Sequence, residues 1–237
     1  VKSFSYTYNP SNLANKNLAK NGVISSSLAS GDWFKFNAIE TGVYKIDKNF
    51  LTQLGIPVGV DPRTIKIHSF GGAMLPLKNA QNLYFDNPEI AIQIVGESDG
   101  QFNDGDYILF YSKGNKGWSE ENLTNHNLYD RNAYYYITYG NGAGKRIENL
   151  QQPTQSATVN FSSFDEQVFH EQNLKNLANL SRKWFGEEYN VNNSDSKQFD
   201  LVLADLSKPV NVEVNVAAVS SNSSSFNFVV NGQSFGS

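Results

Sequence analysis

Apolar and polar residues alternate along several short stretches of this 237-residue chain. A period of two is the signature of strands with one face buried. Val210, Val212, Val214 and Val216 interleave with Asn211, Glu213 and Asn215, the clearest case of a half-buried antiparallel strand. Phe34 and Phe36 alternate with Trp33 and Lys35. Glu40-Thr41-Gly42 then turns the chain into Val43–Ile46, which predicts a hairpin. Thr64–Phe70 predicts a strand with Ile65 and Ile67 inward. Gly71-Gly72 breaks it, and Leu75-Pro76-Leu77 reads as an extended edge segment. Ile90, Ile92 and Ile94 share one strand face. The strand Tyr107–Tyr111 is apolar on both faces, with Tyr107, Leu109 and Tyr111 opposite Ile108 and Phe110, which predicts cover on both sides. Ala133–Tyr139 adds a further strand.

Other segments set the boundaries. Residues 1–30 are polar, with one alternating patch at Phe4–Tyr8 that predicts a first strand. Asp47 caps a short helix carrying Phe50, Leu51 and Leu54, and Gly55 ends it. Leu174, Leu177 and Leu180 hint at a second short helix, although three leucines fit extended chain too. Val159–Val168 and Phe199–Ala204 predict strands. Phe226–Val230 runs into Asn231-Gly232, a type I′ hairpin signal. With so little chain after it, that hairpin reads as lacking an arm, and the protein as continuing past Ser237. The polar, proline-marked segment Glu148–Thr158 is the best domain boundary. The expected fold is all-β: antiparallel β-sandwich-type domains with one or two short helices. Residues 1–30 form a polar N-terminal segment with one strand, 31–150 a first β domain, and 151–237 a second β domain, incomplete at its C-terminal end.

Composition narrows the function classes. Aromatic residues make up 13% of the chain, a load that favours strands over helices. A net charge of −4, without any basic stripe, gives no footprint for nucleic acid. The absence of cysteine excludes disulfides, thiolate metal sites and a cysteine nucleophile from this stretch. No apolar run approaches the about 18 residues that a membrane-spanning helix needs. No signal peptide is visible, and Val1 would follow its cleavage in an exported protein.

Candidate chemistry is sparse. The loop Glu97–Asp106 holds Glu97, Asp99, Asp104 and Asp106 among glycines, and so either turns the chain or holds a hard cation. Its spacing lacks the EF-hand pattern and its bidentate glutamate, which favours the turn. Gly140–Arg146 invites a phosphate-loop reading. That reading fails, because Tyr139 stands where the first glycine should be, Arg146 where a Ser or Thr should bind Mg²⁺, and no helix follows. His68, His126 and His170 lie more than forty residues apart. His68 shares a strand face with Thr64 and Lys66, which predicts exposure, and Glu171 stands beside His170 to orient it. No serine in a nucleophile-elbow context completes a triad. Trp33, Trp118 and Trp184, with Tyr134–Tyr136, suit either core packing or a stacking platform for sugars. No residue is assigned a catalytic, cofactor-binding or metal-binding role, and no cofactor is expected.

A set of ordered blocks carries a resemblance: Gly31-Asp32-Trp33, Thr41–Ile46, Asp104–Tyr111 with Gly114 and Trp118, Asn127–Asp130, Gly144–Ile147, and His170-Glu171 through Asn176-Leu177 to Arg182–Glu187. In order and spacing they resemble the N-terminal region of the PorU family, the gingipain-type cysteine peptidases that act as sortases of the bacterial type IX secretion system. The chain departs from the family pattern at Leu180-Ser181 and Asn173. The resemblance implies a parent enzyme that removes C-terminal sorting signals from secreted cargo and attaches the cargo to the cell surface. It does so through a Cys–His pair and a thioester. Neither catalytic residue can be placed here, so this stretch is expected to be inert. Its implied partners are the peptidase domain of the same chain, proteins of the outer-membrane attachment complex and, through the parent enzyme, the cargo. Its implied location is the extracellular side of the outer membrane.

Two other readings compete. An inhibitory prodomain of a secreted gingipain-like protease would expose a basic residue on a loop that is cut on activation, for which Lys113, Lys116 and Arg131 are candidates. A carbohydrate-binding β module would use the aromatic residues above.

Overall fold

A computed structural model describes residues 25–57, 59–82, 86–119, 121–152, 154, 161–179, 183–190, 192, 196–200 and 207–235. The predicted strands at Phe4–Tyr8 and, beyond residue 200, over Phe199–Ala204 lie outside these. The chain divides into two compact units, Val1–Ser163 and Phe164–Ser237.

Among its described residues, the first unit holds one α-helix and two principal antiparallel sheets. In one sheet, β1 (Phe34–Ala38) pairs with β9 (Ala133–Thr138), β9 with β3 (Lys66–His68), and β3 with β4 (Glu89–Ile90). In the other, β6 (Tyr107–Ser112) is central between β2 (Gly42–Asp47) and β5 (Ile92–Val95). The inward residues of both sheets form a single core: Phe36 and Ala38 on β1, Ile67 on β3, Tyr135 and Ile137 on β9, against Ile46, Ile92, Ile94, Ile108 and Phe110. Phe110 sits at its centre, with ring centroids 5.7 Å from Phe36, 5.6 Å from Tyr44 and 5.0 Å from Tyr135. Tyr135 is fully buried, so its hydroxyl needs partners. It donates to Ser112 Oγ at 3.0 Å and accepts from the Lys113 N–H at 2.9 Å.

Two predicted strand arrangements are corrected. Phe34–Ala38 and Gly42–Asp47 do not form a hairpin: Phe34 pairs with Ile137, and Val43 with Tyr111, in different sheets. The turn at 39–41 is therefore an arch from one layer to the other. Both strands still aim their apolar residues into the same core, which is all that the alternation encodes. Gly114 packs against this arch, where a Cβ would stand 2.5 Å from the Ile39 carbonyl oxygen. Likewise Ile90 and Ile92–Ile94 belong to different sheets, with the chain crossing over at Ala91. The third correction concerns β6. Ile108 and Phe110 are buried, but on the other face Tyr107 and Leu109 are half-buried and Tyr111 is 54% exposed, so the second side is only partly covered.

The helix α1 (Lys48–Leu54) forms as its caps predict. The Asp47 carboxylate accepts from the Phe50 N–H at 2.9 Å, and Gly55 closes the helix at φ 90°, a left-handed conformation that glycine adopts without penalty. Phe50 meets Phe36 edge-on at 5.7 Å, which seats the helix on the core. Leu75-Pro76-Leu77 forms no strand. A small hairpin, β7 (Lys116–Ser119) with β8 (Thr124–His126), completes this unit.

In the second unit, β10 (Lys175–Asn176) pairs with β11 (Trp184–Phe185), and a 3-10 turn covers Leu177–Asn179 where a second helix was in question. Gly186 lies against the Gln172 backbone, where a Cβ would meet the carbonyl oxygen at 3.0 Å. The type I′ hairpin is present, and it has both arms. β12 (Phe228–Val230) pairs with β13 (Gln233–Phe235) around Asn231 and Gly232, at φ 48° and 82°. Three residues, Gln233–Phe235, suffice for the second arm, so the little chain after the turn does not leave the hairpin incomplete. Residues 161–168 and Val210–Val216 are in no strand, and the four alternating valines are exposed. Alternation makes a segment fit to pair, but pairing also needs a neighbour, and none of the described residues supplies one.

Candidate functional site

Each carboxylate of the acidic loop is engaged by the chain itself. Gly96 and Gly100, both at positive φ, bracket a 3-10 turn over Glu97–Asp99. Asp99 accepts from the Gln101 N–H and the Asn103 amide, Asp104 from Lys48 Nζ at 2.8 Å, and Asp106 from the Asn103 N–H at 2.6 Å. The Lys48 ammonium beside Asp104 holds that carboxyl below its ordinary value, first by its hydrogen bond and then by its charge. Such bonds are what a turn built from Asp, Asn and Gly provides. Among the described residues, no three His, Asp or Glu side chains gather into a metal-binding group.

Glu97 has a different role. Arg146 binds it through Nε and Nη2, at 2.9 and 2.8 Å to Oε2. The same guanidinium donates to the carbonyls of Pro62 and Arg63 at 3.0 Å and of Ile65 at 3.3 Å. One planar fork thus ties the acidic turn to the segment entering β3. The glycine-rich stretch serves this clamp. Gly140, Asn141 and Gly142 all take positive φ to turn the chain out of β9. Residues 145–147 then run beside β5, with the Ile92 N–H donating to Lys145 and the Ile147 N–H to Ile92. Gly144 passes so close to Ile65 that a Cβ would stand 2.3 Å from its carbonyl oxygen. The clamp was not legible in advance: an arginine next to glycines suggests an anion, whereas its partners lie 49 to 84 residues away.

The histidines have structural partners. His68 is half-buried, not exposed, because its ring meets Trp33 edge-on at 5.0 Å and its Nδ1 lies 2.8 Å from the Asn87 carbonyl oxygen. His126 sits on β8 opposite Lys116. For His170 the carboxylate within reach is Glu187, with Nε2 to Oε1 at 2.8 Å, rather than the adjacent Glu171. Burial raises the Glu187 carboxyl, but the His170 hydrogen bond and the surrounding charges outweigh it and leave it below its ordinary value. His170 also lies 4.6 Å from the Phe199 ring.

The basic candidates separate. Lys113 is held by its backbone, donating to Tyr135 and accepting from the Gly72 N–H. Lys116 opens β7 and reaches Glu40 at 3.9 Å. Arg131 is exposed in a loop braced by Asn127, which accepts from the Tyr129 and Asp130 N–H groups, and by Asp130, which accepts from that of Asn132.

The outer faces of the two large sheets differ in kind. On β2–β6–β5 the rows are Val43–Tyr111, Lys45–Leu109–Gln93 and Asp47–Tyr107–Val95. Val43 is 70% exposed, and Lys45 Nζ lies 4.5 Å from the Tyr107 ring centroid. On β1–β9–β3–β4 the rows opposite the core are Asn37–Tyr134, Lys35–Tyr136–His68–Glu89 and Thr138–Lys66, with the Trp33 ring against His68 and Thr138 buried. Of the proposed aromatic platform, the structure therefore gathers Trp33, Tyr134 and Tyr136. Tyr135 is in the core, Trp118 is on the β7–β8 hairpin, and Trp184 is in the second unit.

No protein-family model matches the chain, and no curated protein matches it. Among solved structures, the crystal structure of dimeric latent PorU from Porphyromonas gingivalis is similar at 24% identity and a TM-score of 0.41, over 56% of this chain. The chain matches 12% of that protein's length. No helix among the described residues is long and apolar enough to cross a membrane.

Proposed function

We propose that this chain is a non-catalytic β region of a type IX secretion sortase, a scaffold for its peptidase domain and a docking surface for partners at the cell surface. The observation that carries the docking role is the open outer face of β2–β6–β5. A strand whose two faces are both apolar belongs inside a protein or an assembly. Here Val43, Tyr111 and Val95 are exposed, and Tyr107 and Leu109 are half-exposed beside Lys45 and Gln93. The sortase assignment rests on the sequence blocks, and these fall on residues with structural work: Thr41–Ile46 on β2, Asp104–Tyr111 leading into β6, Gly144–Ile147 on the clamp, and His170 with Glu187 on one hydrogen bond.

In this reading the parent enzyme removes C-terminal sorting signals and attaches cargo on the extracellular side of the outer membrane, with its chemistry in a domain outside this stretch. The test places Val43→Asp and Tyr111→Asp in the full-length protein in its own cells. Retention of uncleaved sorting signals on cargo, with normal abundance of the protein, is the expected result. Wild-type processing would remove the docking role. A reading frame without a caspase-like domain bearing His and Cys would remove the sortase assignment itself. The inhibitory-prodomain alternative keeps two loop candidates, Lys113 and Arg131, both exposed, whereas Lys116 opens β7.

A further inference from the structure

We infer that the groove between the segment leaving β3 and the β7–β8 turn receives an extended peptide, with an apolar side chain seated in the groove and a basic residue beside Glu121. The groove holds about 410 Å³, and ordinary ligand sites hold about 300–1,000 Å³. Phe70, Met74, Leu75 and Pro76 line it from the first segment, and Ser119, Glu121 and Asn122 from the turn. None of these residues belongs to β2–β6–β5, so this site is separate from the face described above. Met74, the chain's one methionine, lets the lining adapt to a side chain. The turn itself is firm, because Ser119 Oγ accepts from the Asn122 N–H at 3.3 Å and from its Nδ2 at 3.0 Å.

The backbone beside the groove suits an added strand. Pro76 keeps the preceding Leu75 in an extended conformation. Among the described residues, the backbone from Ala73 to Leu77 makes one hydrogen bond, from the Leu77 N–H to Glu121 Oε2 at 3.3 Å. Its other N–H and C=O groups stand like those of a strand edge, and a peptide laid along them turns alternate side chains toward the groove. Apolar side chains are already held outward here. Phe70, Leu75 and Leu77 are exposed, and Leu123, beside Asn122, is 71% exposed. Leu123 also takes φ 49°, a strain for a residue with a bulky side chain and of the kind kept at ligand sites. Charge selects the rest of the ligand. Glu121 is the one ionised side chain among the lining residues, it is exposed, and no Lys or Arg pairs with it among the described residues. A lone carboxylate at the rim of an apolar groove complements a cation next to an apolar side chain.

The test passes random peptide pools, fixed at two neighbouring positions as Lys-Leu, Glu-Leu or Lys-Ser, over the immobilised 237-residue chain and measures the fraction retained. Retention of the Lys-Leu pool about tenfold above the other two is expected, with the margin over Glu-Leu shrinking at high salt. The Lys-Leu pool with N-methylated amides should pass through, since it cannot pair with a strand edge. Leu75→Asp should abolish retention, Glu121→Lys should move the preference to the Glu-Leu pool, and Leu150→Ser should change neither. All three positions are exposed, so these substitutions leave the core intact. A Lys-Leu pool retained no better than either of the others, a wild-type preference in Glu121→Lys, or full retention of the N-methylated pool would overturn the assignment.

Discussion

Replacing Arg146 with Ala tests whether the clamp, rather than the glycine turn alone, holds the first unit together. The substitution removes a bidentate pair to Glu97 and three bonds to carbonyls. Those carbonyls are not all orphaned. Pro62 O still accepts from the Ile65 N–H at 3.1 Å, and Arg63 O from the Gly144 N–H at 3.1 Å. The larger loss is at Glu97, whose carboxylate would keep no strong partner. Fully buried, such a loss costs about 3–5 kcal/mol. Both side chains are about a quarter exposed, so water recovers part of it, leaving roughly 2–3 kcal/mol. Glu97→Ala should cost less, about 1 kcal/mol, because the guanidinium keeps its carbonyls. Arg146→Lys should recover less than half, since one ammonium cannot reproduce a planar fork. The assay is urea unfolding followed by tryptophan fluorescence in a Trp184→Phe background, so that Trp33 and Trp118 report on the first unit. An Arg146→Ala midpoint indistinguishable from wild type, or a Glu97→Ala loss larger than that of Arg146→Ala, would refute the reasoning.

Other perturbations follow from the same packing. Gly144→Ala should destabilise the first unit by more than about 2 kcal/mol, because its Cβ meets a backbone oxygen that cannot move aside; an unchanged midpoint would mean that the 143–145 backbone relaxes freely. Phe110→Ala, which empties the centre of the aromatic cluster, should cost about 3–5 kcal/mol and abolish the near-UV circular dichroism of the packed rings. Because Glu187 has a lowered folded-state pKa, its contribution is fully present above its unfolded value of about 4.3 and fades as the pH falls through the folded one. Acid titration of Trp184 fluorescence should therefore show a transition that Glu187→Gln flattens, and identical curves would exclude the contribution.

Sequence alone determined what is local. The N-cap at Asp47, the left-handed stop at Gly55 and the positive-φ pair Asn231-Gly232 depend on a few adjacent residues, and all three stand where the chain places them. In the first unit alternation also identified side chains that enter the core, since Phe36, Ile67 and Ile92 are inward, while on β6 it left both faces open and over Val210–Val216 it pointed to a burial that is not there. It did not specify the layer, because a period of two is the same in either sheet. The pairing of β1 with β9 and the crossing at Ala91 were therefore tertiary decisions, made where strands far apart in sequence met and closed one core from two sides. The same holds for the clamp and for His170 with Glu187, whose partners are remote. It also holds for the partly open face of β6, since a strand's own residues state what cover they would accept and only the assembled sheets decide how much of it arrives.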